Sequence, residues 1–233
     1  MQSERYEGLF VGDMKLGDLI DANYKLLTIL SRLGIRLGFG EVTVEEMCRR
    51  YGLSPQLFLI ICRIYTFDGY TPSCESLGDE DLRRVVSYLR ASHRYYKEYS
   101  LPRLRKGVGE TVASCDELHR KVLEKFFDDY CGEVASHFAY EEDVVFPYID
   151  SLLDGCVTGD FRIGKFEDNH SDVDEKLNDM KSIIIKYLPE ACPTEQRDDM
   201  LFGICRFEED LARHTLIEER VLIPLVTKIE KRL

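Results

Sequence analysis

The chain has 233 residues, is 44% hydrophobic and 32% charged, and carries a net charge of −12 at neutral pH. That is enough apolar sequence for one large core, or for a large domain and a small one. A pI near 5.0 makes the surface repel nucleic acid and anionic lipid, so neither is an expected partner.

Residues 1–13 form a polar tail containing Gly8 and Gly12. No basic region there leads into an apolar run, so no secretory signal is expected and the expected location is the cytoplasm. No stretch approaches the roughly 18 consecutive apolar residues that would make a membrane span. From Met14, Leu16, Leu19, Ile20, Tyr24, Leu27, Leu30 and Leu33 recur at helical spacing, up to the glycines at 34, 38 and 40. Thr43 with Glu46 is a capping box, and Ser54-Pro55 opens a further helix after Gly52. Residues 14–66 are therefore expected to be a small helical N-terminal domain.

The stretch 44–65 has a helix–turn–helix outline, but its second helix offers only Gln56 and Arg63 as long polar groups. A DNA reader needs more donors for bases and phosphates. That helix is expected to be buried instead, against Leu16, Leu19, Leu27 and Leu30, or against a second copy in a homodimer formed through this domain.

Residues 67–78 are rich in turn formers and are expected to link this domain to the rest of the chain, 79–233. Four long helical patterns follow, at about 79–105, 112–153, 161–188 and 195–232, separated by the Gly- or Pro-bearing breaks KGVGE, LDGCVTGD and YLPEACPT. Short connections between long helices imply antiparallel neighbours. The expected class is all-α: an up-down-up-down four-helix bundle preceded by the small helical domain. The eight cysteines include no CxxC pair and are expected to be reduced thiols used as small packing residues.

The bundle contains a repeat. His137, Glu141, Glu142 and Pro147 recur as His214, Glu218, Glu219 and Pro224, each pair 77 residues apart, and His93 and His170 obey the same period. On an α-helix, residues i and i+4 share a face, so His137 with Glu141, and His214 with Glu218, can point together into the bundle. A lone His-x3-Glu is common as a weak pair on a solvated helix. Two copies at a fixed offset to a proline, with two more histidines on the same period, point to metal ligation. Imidazole suits iron, zinc or copper, and carboxylates add oxygen donors able to bridge two metals. The candidate ligands are His93, His137, Glu141, His170, His214 and Glu218.

Other residues are weighed against that set. His119 lies 18 residues before His137, about 27 Å along a continuous helix, and is expected at the surface or behind the ligands, not among them. Asp174 follows His170 by four residues, but its period mate is Lys97, which cannot bind a metal. Glu142 and Glu219 project about 100° from their neighbours and are expected in solvent. Pro147 and Pro224 should bend their helices. Tyr95, Tyr96, Phe138, Tyr140 and Phe146 are expected in the core, one or two of them shielding the site. No residue is assigned a catalytic role.

His93, His137-x3-Glu141, His170 and His214-x3-Glu218 resemble the ligand set of bacterial hemerythrin-like proteins, most closely the repair-of-iron-centres proteins, over about residues 80–232. The resemblance implies two non-haem iron ions bridged by the two glutamates, with room for an oxo bridge, iron ranking ahead of manganese. It also implies nitric oxide and O2 as small ligands, iron–sulfur proteins as partners, and a role in restoring damaged iron–sulfur clusters under nitrosative or oxidative stress. Residues 14–66 resemble that family's N-terminal domain, but Leu37-Gly38-Phe39-Gly40 stands where the family carries two adjacent cysteines and glycines. The alternative expectation is an O2- or NO-binding or sensing protein without repair activity, and a weaker one is a metal store.

Overall fold

A computed structural model describes residues 6–156, 160–169, 174–190 and 192–232, without the side chains of 167–169, 174 and 175. The class is all-α, as expected. No strand occurs among the described residues, only an isolated bridge between Lys15 and Thr43. None of their helices is long and apolar enough to cross a membrane. In chain order the helices are α1 (Leu16–Ala22), α2 (Leu26–Arg32), α3 (Val44–Tyr51), α4 (Pro55–Thr66), α5 (Asp79–Tyr95), α6 (Leu101–Val112), α7 (Glu117–Tyr140), α8 (Phe146–Leu153), α9 (Gly164–Asn169), α10 (Asp174–Lys186), α11 (Thr194–Ile217) and α12 (Ile223–Glu230). Single π-turns join α5 to α6, α7 to α8 and α11 to α12.

The chain folds into two compact units. The first comprises Met1–Ser92, Tyr148–Glu167 and Arg213–Leu233. In it the Thr43–Glu46 capping box starts α3, Gly52 ends that helix at φ 62°, and Ser54 caps α4 with Pro55 in its first turn. The helical pattern expected to run from Met14 to Leu33 is broken into α1 and α2. Asn23 causes the break: its side chain donates to the Tyr65 carbonyl and to Thr66 Oγ1, and accepts from the Lys25 amide. The helical phase restarts at Leu26, which places Tyr24 and Leu27 outside, 69% and 40% exposed. Leu27 is thus not part of the expected core, whereas Leu16, Leu19 and Leu30 are buried.

Helix α4 packs against α2 and α3, with every residue from Leu57 to Tyr65 buried. Burial pushes the Cys48 thiol up to about 12 and the Cys62 thiol well above its ordinary value. Those two are the packing cysteines the sequence suggests.

Residues 64–77 are strapped down by cations from the C-terminal helices. Arg213 donates to the Ile64 carbonyl at 3.0 Å, Arg220 to the Tyr70 carbonyl, and Lys228 to those of Glu75 and Leu77 at 2.6 and 3.1 Å. These bonds satisfy carbonyls that a turn-rich segment cannot pair with itself.

The second unit, His93–Pro147 with Asp168–Ala212, has one core. Leu104, Val108 and Val112 of α6, Phe127, Tyr130 and Val134 of α7, Leu177, Met180 and Ile184 of α10, and Ile204, Phe207 and Leu211 of α11 fill it. The KGVGE stretch, expected as a break, is helical through Gly107 and Gly109. Its glycine serves packing instead: a Cβ on Gly107 would stand 3.0 Å from Met200 Sδ, and one on Gly203 3.0 Å from a Leu104 methyl. The turn lies at 113–116, and Asp116 caps α7 by accepting from the His119 amide.

Cys115 in that turn and Cys192 between α10 and α11 form a disulfide. The reduced-thiol expectation is therefore wrong for this pair. The remaining six cysteines are free, and Cys156 and Cys205 are exposed rather than packed. An up-down-up-down order puts the first and third turns at the same end, and the disulfide joins those two turns.

Candidate metal centre

Helix α5 brings His93 to a fully buried position, and the end of α7 with the turn after it brings His137 and Glu141 one turn apart, as the i, i+4 spacing requires. His93 Nε2 lies 3.0 Å from Glu141 Oε2, and His137 Nε2 lies 2.8 Å from Glu141 Oε1. One carboxylate thus stands between two imidazoles. At the end of α11, His214 Nε2 lies 3.0 Å from Glu218 Oε1, both fully buried. His93, Glu141, His214 and Glu218 each offer one donor atom, and all four atoms lie within 4.8 Å of one another. His170 lies outside the described residues.

Glu141 tests whether a cation suits this cluster. Its oxygens sit at ion-pair distance from two imidazole nitrogens, yet neither has a partner in hydrogen-bond geometry. Leaving a buried carboxylate oxygen without a hydrogen bond is costly. Lone pairs and ring nitrogens that converge without facing one another suit an ion held in common. Mixed imidazole and carboxylate donors are the set a first-row cation takes inside a helical bundle.

Both glutamates open a π-turn, Glu141–Val145 and Glu218–Leu222, and a third π-turn, Tyr96–Ser100, begins three residues after His93. Pro102, Pro147 and Pro224 each sit at the second position of the helix that follows. A proline lacks an amide hydrogen and crowds the carbonyl four residues back. The residue before each proline bonds five residues back instead: Leu101 to Tyr96, Phe146 to Glu141 and Ile223 to Glu218. The expected bend is thus a widened turn. The Arg220 carbonyl, four residues before Pro224, accepts from the Cys74 thiol at 3.4 Å.

The surroundings follow from the same helices. Phe138 and Phe146 stack on the His93 ring at centroid distances of 4.2 and 5.6 Å. Tyr96 is buried, stacks on Phe138, and donates to the Asp210 carbonyl at 3.1 Å. Tyr140 is 38% exposed and so not a core residue, while the half-buried Tyr95 packs against the core. His119 is at the surface beside Asp116, as expected. Glu219 is exposed as expected, but Glu142 is not simply solvated: its Oε1 lies 2.9 Å from His93 Nδ1. Both glutamates follow the first residue of a π-turn, so what separates them is the partner: Glu142 meets the His93 ring.

Fold and site together define an all-α bundle protein with a buried His/Glu cluster able to hold a cation. Residues 84–226 match the hemerythrin HHE cation binding domain, and the chain belongs to that family. It is also similar to the curated proteins called iron-sulfur cluster repair protein YtfE from Salmonella paratyphi B, Salmonella newport and Salmonella heidelberg. With each it is 30% identical over 104 residues, 44% of this chain and 46% of theirs. The match thus spans about half the length of those relatives. No solved structure matches.

Proposed function

We propose that the protein is a cytoplasmic non-haem di-iron protein of the iron–sulfur cluster repair type, handling iron and responding to nitric oxide and oxidants. The observation that carries this reading is the buried quartet His93, Glu141, His214 and Glu218, with donor atoms within 4.8 Å of one another. His137, through Glu141, and His170, through the 77-residue period, complete the six proposed ligands. When bound, iron supplies redox chemistry and positions for small diatomic ligands. The protein's part is to fix the described donors on α5 and on α7 and α11 with their π-turns, to keep water from the His93 ring with Phe138 and Phe146, and to leave the Glu141 carboxylate without a competing hydrogen bond.

In this proposal residues 14–66 are an interaction module, 67–78 its connection and 79–233 the di-iron bundle. DNA binding is not part of it: α4 is buried, and Arg63 donates to the carbonyls of Glu7 and Phe10 at 2.8 and 2.6 Å. The apolar face offered for a homodimer is used within the chain. One observation favours the second reading, an O2 or NO sensor without repair activity. The turn at Gly38 and Gly40, at φ 87° and 69°, carries the exposed Leu37 and no thiol.

Anaerobic reconstitution is expected to load about two irons per chain, because the proposed ligands exceed what one tetrahedral ion uses. The reduced protein is expected to change its optical and paramagnetic spectra on adding NO, and His119→Ala to leave that change intact. Catalytic consumption of NO would favour the repair reading and a stable adduct the sensor. A stoichiometry near zero would remove the iron reading, and two irons without response to NO or O2 would leave storage.

A further inference from the structure

Glu142 is neither in the metal-donor quartet nor fully solvated. Its side chain is 29% exposed, and its Oε1 lies 2.9 Å from Nδ1 of the fully buried His93. The other nitrogen of that ring, Nε2, faces Glu141 at 3.0 Å. The imidazole is therefore held at both ends. Its ring plane is further fixed by stacking on Phe138 and Phe146, both with interplanar angles near 20°.

We propose that Glu142 is a positioning residue: it accepts the Nδ1–H hydrogen bond of His93 and so keeps the Nε2 lone pair directed into the cluster. The proposal rests on the metal reading above. A neutral imidazole carries one proton, and the nitrogen that keeps it cannot ligate. A carboxylate at Nδ1 draws the proton there, frees Nε2, and makes the ring a stronger donor. The doublets Glu141-Glu142 and Glu218-Glu219 are alike in sequence, yet Glu142 meets the ring while Glu219 is exposed.

The test compares wild type with Glu142→Ala, Glu142→Gln and Asp143→Asn, the last removing a neighbouring exposed charge. Iron affinity is measured by competition with a chelator on folded, reconstituted protein. Glu142→Ala is expected to bind iron about 10–100-fold more weakly. Glu142→Gln, whose amide oxygen still accepts, should recover most of that loss, and Asp143→Asn should match wild type. In metal-free protein, the downfield proton signal of the hydrogen-bonded His93 Nδ1–H should be present in wild type and lost in Glu142→Ala.

Wild-type affinity in Glu142→Ala would overturn the proposal and leave the di-iron reading standing. So would a loss of iron with the His93 signal unchanged, since the effect would then not pass through this ring. A wild type that takes up no iron would instead refute the metal reading itself.

Discussion

Glu141→Ala is expected to abolish tight iron binding while leaving the metal-free protein at least as stable as wild type. The Glu141 carboxylate is fully buried, is approached by two imidazole nitrogens at 3.0 and 2.8 Å, and has neither oxygen in a hydrogen bond. In the metal-free fold its oxygens are buried without hydrogen bonds, and leaving such a group unsatisfied costs about 1–3 kcal/mol or more. Removing it relieves that cost, partly offset by a small cavity. With iron present the balance reverses, because the one group shared by His93 and His137 is gone. The affinity loss should exceed the roughly 10–100-fold that removing an outer partner causes. Glu218→Ala should lose iron in the same way, and Glu219→Ala, an exposed change, should be nearly neutral. Iron stoichiometry and metal-free melting, measured on the same samples, decide it. A Glu141→Ala protein that keeps its iron would show that the faces are wrongly assigned. One that unfolds without metal would show that the carboxylate is structural.

The legible parts of this site are the local ones. His137 with Glu141 and His214 with Glu218 need only a helix and a four-residue interval, so spacing alone brings them together. The 77-residue period carries the relation between the copies. It also links Cys115 to Cys192, a signal that CxxC spacing does not reveal. What could not be read depends on partners distant in sequence. Asn23 breaks a helix because Tyr65 and Thr66 offer it hydrogen bonds. Gly107 marks close packing inside a helix, not a break: a Cβ there would stand 3.0 Å from Met200 Sδ. Glu142 turns inward because the His93 ring, 49 residues earlier, offers it Nδ1 at 2.9 Å, whereas Glu219 after the matching π-turn stays exposed. In each case local preference is overruled by a contact that sequence spacing does not encode.

Loss of the Cys115–Cys192 bond is expected to have the largest effect on stability and little on the metal. The bond closes a loop of 77 residues, and the chain-entropy relation gives about 4–5 kcal/mol for a loop of that size, with measured values commonly about 2–5. It ties the α6–α7 turn to the α10–α11 connection. Without it, those ends keep contacts such as Thr111 Oγ1 to the Gln196 carbonyl at 3.3 Å. His93 lies some twenty residues from Cys115, about 30 Å along the helix, so the donors should keep their places. Reductant should therefore lower the melting temperature of the iron-loaded wild type by on the order of 10 °C. Counted after denaturation, the titratable thiols should rise from the six free cysteines to all eight, while the iron content of the folded protein stays unchanged. Cys115→Ser should melt at the reduced wild-type temperature and be insensitive to reductant. Because disulfides persist in oxidising and not in reducing compartments, the bond makes the rigidity of this end of the unit depend on redox conditions. Eight reactive thiols in protein denatured before any reductant is added, or a melting temperature that reductant does not move, would remove the cross-link as a contributor to the fold.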